Sequence, residues 1–168
     1  MMVTMLLLLT AQVATPEPGV PELVAAMVET LSGDVAEREG WANRPWFVTA
    51  ESADAFRGVL DDEPVQLSRE GDGIAVLPAA QLMDCRPDGR CGLLMEGAVL
   101  EIHRLIPQSD DRFRVLLTVR SRGEGSEQDA PDGARAASQD ETVETGIIMT
   151  VSRSSGFWTV HGYVIAVP

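Results

Sequence analysis

The only two cysteines, Cys85 and Cys91, flank the short stretch "RPDGR". Redox motifs place two residues between their cysteines, and a structural zinc site needs about four ligands, so neither chemistry fits this spacing. The stretch has the composition of a turn, because Pro87 presets φ, Asp88 hydrogen-bonds locally and Gly89 accepts a positive φ. A turn brings its two ends close, as a disulfide requires. We therefore predict a structural disulfide that contributes about 2–2.5 kcal/mol, with two free thiols as the alternative.

The two histidines, His103 and His161, are the first candidates for acid–base chemistry, because only histidine titrates near neutral pH without perturbation. The strand registers derived below place both on the outer face of a sheet, about 14 Å apart with two strands between them. They therefore cannot share one metal ion. No nucleophile elbow, phosphate loop or zinc-protease motif is present. We predict neither a metal nor a cofactor, and expect solvated or interface histidines.

An isomerase-like site would need a carboxylate or a tyrosine in a pocket between a helix and the sheet. Asp54, on a predicted short helix, and Tyr163, the only tyrosine, are the candidates, although surface positions are expected more often for such residues. Trp41, Trp46 and Phe47 form an aromatic cluster in the sequence. That cluster either lines a ligand pocket or belongs to the core.

The composition excludes several classes of partner. The chain has 168 residues, a formal net charge of −13 and 13 basic side chains, all of them arginine. Nucleic-acid affinity depends on cationic side chains that meet phosphates, and no basic cluster is present. The same argument applies to anionic lipid. We therefore expect no nucleic-acid partner and no stable membrane anchor.

The N-terminus has the features of an export signal. The apolar run that starts at Val3 is too short to span a bilayer, which needs about 20 residues. It is typical of the hydrophobic region of a signal peptide over residues 1–14, with Ala14 before the cleavage site. A proline-rich linker is predicted over 15–21. We expect a periplasmic or extracellular protein, in which the disulfide can form.

Residues 22–168 are predicted to form a single α+β domain. An amphipathic helix starts after Pro21 and is expected to stop at Gly40. Two β-hairpins follow, formed by 98–106 with 112–121 and by 144–152 with 157–167. Between the hairpins, residues 123–141 carry six acids and no apolar period, which predicts a flexible acidic loop. The helix should pack on an antiparallel sheet of four or more strands.

The registers follow from the requirement that one face of each hairpin is buried. Pairing Ile102 with Val115 and Val151 with Trp158 produces a continuous apolar face in both hairpins. The opposite face of the last hairpin is then predicted to carry four interface candidates: Phe157, His161, Tyr163 and Ile165. An apolar surface of this kind is rarely left wet. We expect this face to be buried either in a homodimer across a two-fold axis or by the middle segment of the chain.

The order of elements, ending in "SSGFWTVHGYVIAV", resembles the NTF2-like (cystatin-like α+β) fold group. The matching residues are a glycine, then Trp158 and Val160 in a final strand after a polar turn. The resemblance implies a curved antiparallel sheet and covers about the last 70 residues, plus the helix by analogy. Members of that group include enzymes and binding modules, so fold does not decide function. We expect a non-enzymatic module that binds an unknown protein or a small apolar ligand. The alternative is a small lyase or isomerase with its site between the N-terminal helix and the sheet.

Overall fold

The computed structural model of the protein describes residues 17–35, 41, 43–60, 64–122 and 142–166. The predicted signal peptide and the predicted acidic loop lie outside these ranges, as do the first two residues of the predicted linker. No helix within the described ranges is long and apolar enough to cross a membrane.

The first helix, α1 (Val20–Thr30), begins where the sequence supplies a proline and a capping carboxylate. Pro21 lies in the first turn, where its missing N–H has no intrahelical partner to lose. The N–H of Gly19 donates a hydrogen bond to the Glu22 carboxylate at 3.0 Å, which satisfies a backbone group at the helix start. The buried side of α1 is apolar.

The end of α1 differs from the prediction. The apolar spacing predicts a helix that reaches Gly40, but α-helical geometry ends at Thr30 and a π-helical turn follows over Leu31–Val35. Inside this turn Gly33 leaves the helical region, with φ −82° and ψ −135°. Glycine is a poor residue for a helix interior because ordering its backbone has a large entropic cost. The α-helix that begins at Val20 therefore ends at Thr30, and the predicted stop at Gly40 lies outside the described residues.

The remaining elements in the described ranges are two short helical segments and eight strands. A 3-10 helix covers Ala50–Ala55 and α2 covers Ala79–Leu82. The strands are β1 (Trp46–Thr49), β2 (Ile74–Leu77), β3 (Met83–Cys85), β4 (Cys91–Leu93), β5 (Ala98–Ser109), β6 (Arg112–Arg122), β7 (Thr142–Ser154) and β8 (Phe157–Ala166).

Six of the strands form one mixed sheet in the order β2-β1-β5-β6-β7-β8, and β3 pairs with β4 in a separate hairpin. Strand β1 runs parallel to both of its neighbours, whereas all other neighbours in the sheet are antiparallel. The prediction of an α+β fold is confirmed, and the prediction of a purely antiparallel sheet is wrong. Parallel pairing becomes possible because a long connection separates β1 from β5.

The β5–β6 hairpin has a different register from the one predicted. Ile102 lies opposite Leu117 rather than Val115, and the turn is formed by Asp110 and Asp111. The stretch "PQS", predicted as part of the turn, continues β5 with a bulge beside its proline, a position that tolerates a missing N–H. Up to Ile102 the shift is two residues, so these side chains keep their predicted faces. A bulge between Ile102 and Arg104 then exchanges the faces, which brings Leu105 into the core and Arg104 to the outer face.

The β7–β8 hairpin differs in a more consequential way. Val151 lies opposite Val160 rather than Trp158, and Thr150 lies opposite Gly162. His161 is therefore an extra residue on β8, a β-bulge that has no counterpart on β7. Because side chains alternate between faces, one extra residue exchanges the faces of everything beyond it.

The bulge corrects two predicted interface residues. Tyr163 lies opposite Met149 and Ile165 opposite Ile147, so both belong to the inner face of the sheet that α1 covers. Val164, predicted to be buried, lies on the outer face and is 66 % exposed. Phe157 is on the outer face as predicted and is 58 % exposed.

The main core lies between α1 and the inner face of the sheet. Five side chains from α1 and the turn after it are fully buried there: Val20, Leu23, Val24, Met27 and Leu31. Trp158 contributes from β8, where its indole N–H donates to the Gly19 carbonyl at 2.9 Å and its ring contacts Phe113 at a centroid distance of 5.6 Å. This hydrogen bond and ring contact tie the start of α1 to the last hairpin.

A smaller core lies on the outer face. Leu82, Met83 and Leu93 from α2 and the β3–β4 hairpin pack on Val99 of β5. Beside them Arg120 forms ion pairs with both Glu101 and Glu144 across three strands. Among the described residues, this cover reaches only one end of the outer face, the end where β5 begins.

Candidate functional site

The other end of the outer face has a regular arrangement of three cross-strand rows over β6, β7 and β8. The rows are Arg112–Ser152–Thr159, Arg114–Thr150–Gly162 and Leu116–Ile148–Val164. Their alternation with buried neighbours such as Phe113 and Val151 places these side chains away from the main core. Polar and cationic groups thus occupy two rows, and apolar groups occupy the third.

A groove of about 530 Å³ runs over these rows, and we call it the outer groove. Its lining is formed by Arg112, Arg114, Ile148, Thr150, His161, Gly162, Tyr163 and Val164. This volume is within the range of about 300–1,000 Å³ that is typical of small-molecule sites. The outer groove is therefore large enough for a small ligand.

The position of His161 follows from the bulge. An extra strand residue is re-aimed relative to its neighbours, and the imidazole here lies over β7, with its Nε2 2.6 Å from the Ser152 hydroxyl oxygen. The roles of donor and acceptor depend on the imidazole tautomer. His161 is exposed, so its ring borders the groove on the solvent side.

Gly162 forms the floor of the outer groove in the middle row. An added Cβ at this position would meet no other atom within 4 Å, so the space above the glycine is open. A larger residue here would occupy the groove without a clash with the backbone. The residue type therefore decides how deep the groove is.

The arginines near the outer groove differ from most other arginines in the described ranges in the partners of their side chains. Arg57, Arg69, Arg90, Arg120 and Arg153 all form ion pairs with carboxylates. Arg44 and Arg122 donate hydrogen bonds to backbone carbonyls. Within the described residues no carboxylate lies within 4 Å of the side chains of Arg104, Arg112 or Arg114, all of which the register places on the outer face.

A second, smaller cavity of about 260 Å³ brings together two of the predicted catalytic candidates. Asp54 and His103 both line it, with Glu51 and Glu101. The cavity lies where β1 ends and the 3-10 helix continues beside β5. Ser52 anchors that helix, because its hydroxyl accepts a hydrogen bond from the Ile102 N–H at 2.9 Å. No residue of α1 lines this cavity, so the cavity beside Asp54 is not the predicted pocket between that helix and the sheet.

His103 repeats the arrangement of His161. It is the extra residue of a bulge between Ile102 and Arg104, and its Nε2 lies 2.8 Å from the Thr118 hydroxyl oxygen. Asp54 is 69 % exposed and forms an ion pair with Arg57 at 2.9 Å. The predicted neighbour of His103 across the hairpin, Arg114, instead lies opposite Ile106.

The three aromatic candidates are divided between the two cores. Trp41 and Trp46 are buried in the main core, in an edge-to-face contact with ring centroids 6.1 Å apart. Phe47 points to the other side of β1 and packs against the smaller core. Strand alternation separates the neighbours Trp46 and Phe47, so the three rings do not line one pocket.

The predicted disulfide is present, and it closes the β3–β4 hairpin between Cys85 and Cys91. In the turn, the Arg90 guanidinium donates a hydrogen bond to the Asp88 carboxylate at 2.8 Å, and this bond holds the pKa of Asp88 below its usual range. A shallow cavity of about 690 Å³ borders the hairpin. No group of three or more His, Cys, Asp or Glu side chains in the described parts of the chain could hold a metal ion.

The sequence prediction missed the arginines and the glycine of the outer groove. Arg112 and Arg114 alternate with buried Phe113 and Val115, which is a readable sign that both face outward on one strand. The missing information was the identity of the residues beside them on β7 and β8. That identity depends on the bulge at His161.

Comparisons with known proteins do not extend this description. No family model matches the chain, and neither a curated protein nor a solved structure is significantly similar to it.

Proposed function

We propose that this protein is a non-enzymatic binding module and that its ligand site is the outer groove. The observation that carries the proposal is a groove of suitable size on the part of the outer face that the described residues leave uncovered. Gly162 lines the groove with open space above it, and the 66 % exposed side chain of Val164 lines it as well. A small ligand that buries apolar surface there would gain free energy in proportion to the apolar area removed from water.

A small ligand fits this surface better than a second copy of the chain does. A two-fold axis through the outer face would bring Arg112 and Arg114 of one copy close to the same residues of the other. Like charges placed together in an interface weaken association. The homodimer expected from the sequence also relied on Tyr163 and Ile165, which belong to the inner face.

We further propose that the protein is exported and that its fold is related to the NTF2-like group. The disulfide supports export, since such bonds persist in oxidising compartments. The packing of α1 on the sheet supports the relation to that group, whereas the parallel pairing of β1 departs from the antiparallel sheet that the resemblance implies. N-terminal sequencing of exported protein should begin after Ala14.

Filling the groove tests the binding function. N-phenyl-1-naphthylamine is an uncharged apolar dye whose fluorescence rises when it leaves water. The wild-type protein should bind it, and Gly162→Val should lower the affinity at least about tenfold, because the valine side chain occupies the space of the ligand. Gly92→Val is the matched control, since Gly92 also lies in a strand with open space around its Cβ position. Equal affinity for wild type and Gly162→Val would contradict the proposal.

A lyase or isomerase remains a second candidate because Asp54 and His103 line one cavity. A base at this site would remove a proton next to a carbonyl group. The test is deuterium exchange at the α-carbon of a small cyclic ketone in D2O, followed by NMR. Catalysis at this site predicts exchange faster than in buffer, and loss of that acceleration in His103→Gln. A rate unchanged by His103→Gln would contradict this second function.

A further inference from the structure

We infer that the outer groove takes an anionic amphiphile, a small apolar molecule that carries one acidic group. The inference rests on the proposed function and names the ligand class for that same groove. The acidic group is held by Arg112 and Arg114 of β6, and the apolar body lies along Ile148 and Val164. The charge, the hydroxyl groups and the order of the three rows support this assignment.

Arg112 and Arg114 place two positive charges on one face of β6. The chain has twice as many acidic as basic side chains, 26 against 13, yet Arg112 and Arg114 have no carboxylate within 4 Å among the described residues. The nearest acids along the chain, Asp110 and Asp111, lie in the turn before β6 and form no ion pair with either arginine there. Two guanidinium groups on one strand face present donors in a geometry that matches a carboxylate, sulfonate or phosphate.

Neutral hydrogen-bonding groups lie beside the two arginines. In the same two rows lie the hydroxyls of Ser152 and Thr150, on β7. His161 reaches toward Ser152 from β8, and the short contact between them orients both groups. Acidic oxygens have several lone pairs, and hydroxyl and imidazole donors can satisfy those that the arginines leave.

The apolar row lies next to the two polar rows, on one side of them. Residues two apart on a strand are separated by about 6.6–6.8 Å, so Ile148 lies that distance from Thr150, on the side away from Ser152. Leu116 and Val164 flank Ile148 on the neighbouring strands. A ligand with its acid over the arginine rows therefore has its apolar part directed to the apolar row. A ligand with charges at both ends would place one of them on apolar side chains, at a cost in desolvation.

The net charge of −13 restricts the ligand further. A polyanion such as a nucleic acid, or a strongly acidic protein, meets repulsion from the rest of the surface. A single acidic group on a small molecule is affected far less, because repulsion from distant exposed charges is screened beyond about 8–10 Å. The observations thus favour a small monoanion over a macromolecular polyanion.

Two dyes that differ by one group provide the test. N-phenyl-1-naphthylamine is uncharged, and 1-anilinonaphthalene-8-sulfonate is the same molecule with one sulfonate. The wild-type protein should bind the sulfonate about tenfold more tightly than the neutral dye. The double variant Arg112→Gln, Arg114→Gln should lose most of that difference, measured as the ratio of the two affinities. Salt at about 0.5 M should weaken the binding of the sulfonate dye only, because screening acts on charge.

The matched control changes the net charge by the same amount elsewhere. The double variant Arg57→Gln, Arg86→Gln removes two exposed arginines that lie outside the outer groove, and should bind both dyes as the wild type does. Equal affinity of the wild type for the two dyes would overturn the inference while the proposed function stands. An equal loss in both double variants would also overturn it. Failure of the wild type to bind the neutral dye would contradict the proposed function itself.

Discussion

The imidazole Nε2 of His161 in β8 lies 2.6 Å from the hydroxyl oxygen of Ser152 in β7. The contact exists because His161 is the extra residue of a bulge, which releases it from the regular alternation of β8. The same residue exchanges the faces of the strand beyond it, so that Tyr163 joins the core and Val164 borders the outer groove. One inserted residue therefore determines both the packing and the site.

Deleting His161 should destabilise the protein far more than replacing it. Without the extra residue, β8 must either lose its pairing with β7 or turn Tyr163 and Ile165 outward. We expect the free energy of unfolding to fall by about 3 kcal/mol, from the lost burial of these two side chains. His161→Ala keeps the bulge and should change stability by less than about 0.5 kcal/mol. Urea denaturation measures both, and equal stability of the two variants would refute the bulge.

The two aromatic residues of β8 should respond differently to the same substitution. Tyr163 packs against the main core, so Tyr163→Ser should lower the free energy of unfolding by about 2 kcal/mol. Phe157 is mostly exposed, so Phe157→Ser should lower it by less than about 0.5 kcal/mol. Thermal or urea unfolding provides the measurement. If Phe157→Ser lowered the free energy of unfolding more than Tyr163→Ser does, the assignment of these two residues to the outer and inner faces of β8 would be wrong.

The disulfide should contribute to stability through the β3–β4 hairpin. Under non-reducing conditions the intact protein should be lighter by two hydrogen masses than after reduction, because Cys85 and Cys91 are joined. Replacing both cysteines with serine should lower the free energy of unfolding by about 2 kcal/mol, through the entropy of the closed loop. Mass spectrometry and denaturation provide the two readouts. Alkylation of two free thiols in the non-reduced protein would contradict the bond.

Asp88 should titrate below the usual range of an aspartate. The hydrogen bond from the Arg90 guanidinium favours the charged carboxylate and lowers its pKa in the folded protein. Because the folded pKa is lower than the unfolded one, the stabilisation is present above the unfolded value and is lost as pH falls through the folded value. Carboxyl carbon NMR should show the midpoint of Asp88 below that of an aspartate in an unfolded peptide. Arg90→Gln should raise the midpoint, and an unchanged midpoint would contradict the assigned cause.

The sequence predicted those parts of the fold that depend on local patterns. Alternation along β6 correctly places Phe113, Val115 and Leu117 in the core, because the face of a side chain depends only on its position in the strand. The turn composition between the cysteines is also a local pattern, and it predicts the disulfide. A two-residue error in the register of β5 and β6 did not change these faces.

The features that the sequence did not reveal depend on contacts between distant segments. The parallel pairing of Trp46 with Ala98 joins two segments that lie more than fifty residues apart, and no local pattern specifies it. The bulge at His161 adds one residue to β8 without a distinctive composition. Which arginines have no carboxylate within 4 Å among the described residues, as is the case for Arg112 and Arg114, is decided only when the strands are assembled.

The most direct test of the outer groove as the ligand site is a chemical-shift titration. The backbone amide signals of the ¹⁵N-labelled protein are followed while N-phenyl-1-naphthylamine is added. The account predicts that the largest shifts belong to Thr150, Gly162 and Val164, the residues whose backbone forms and borders the groove floor. Shifts concentrated around His103, or on the hairpin near Gly92, would contradict the central claim, because they would place the ligand in a different cavity.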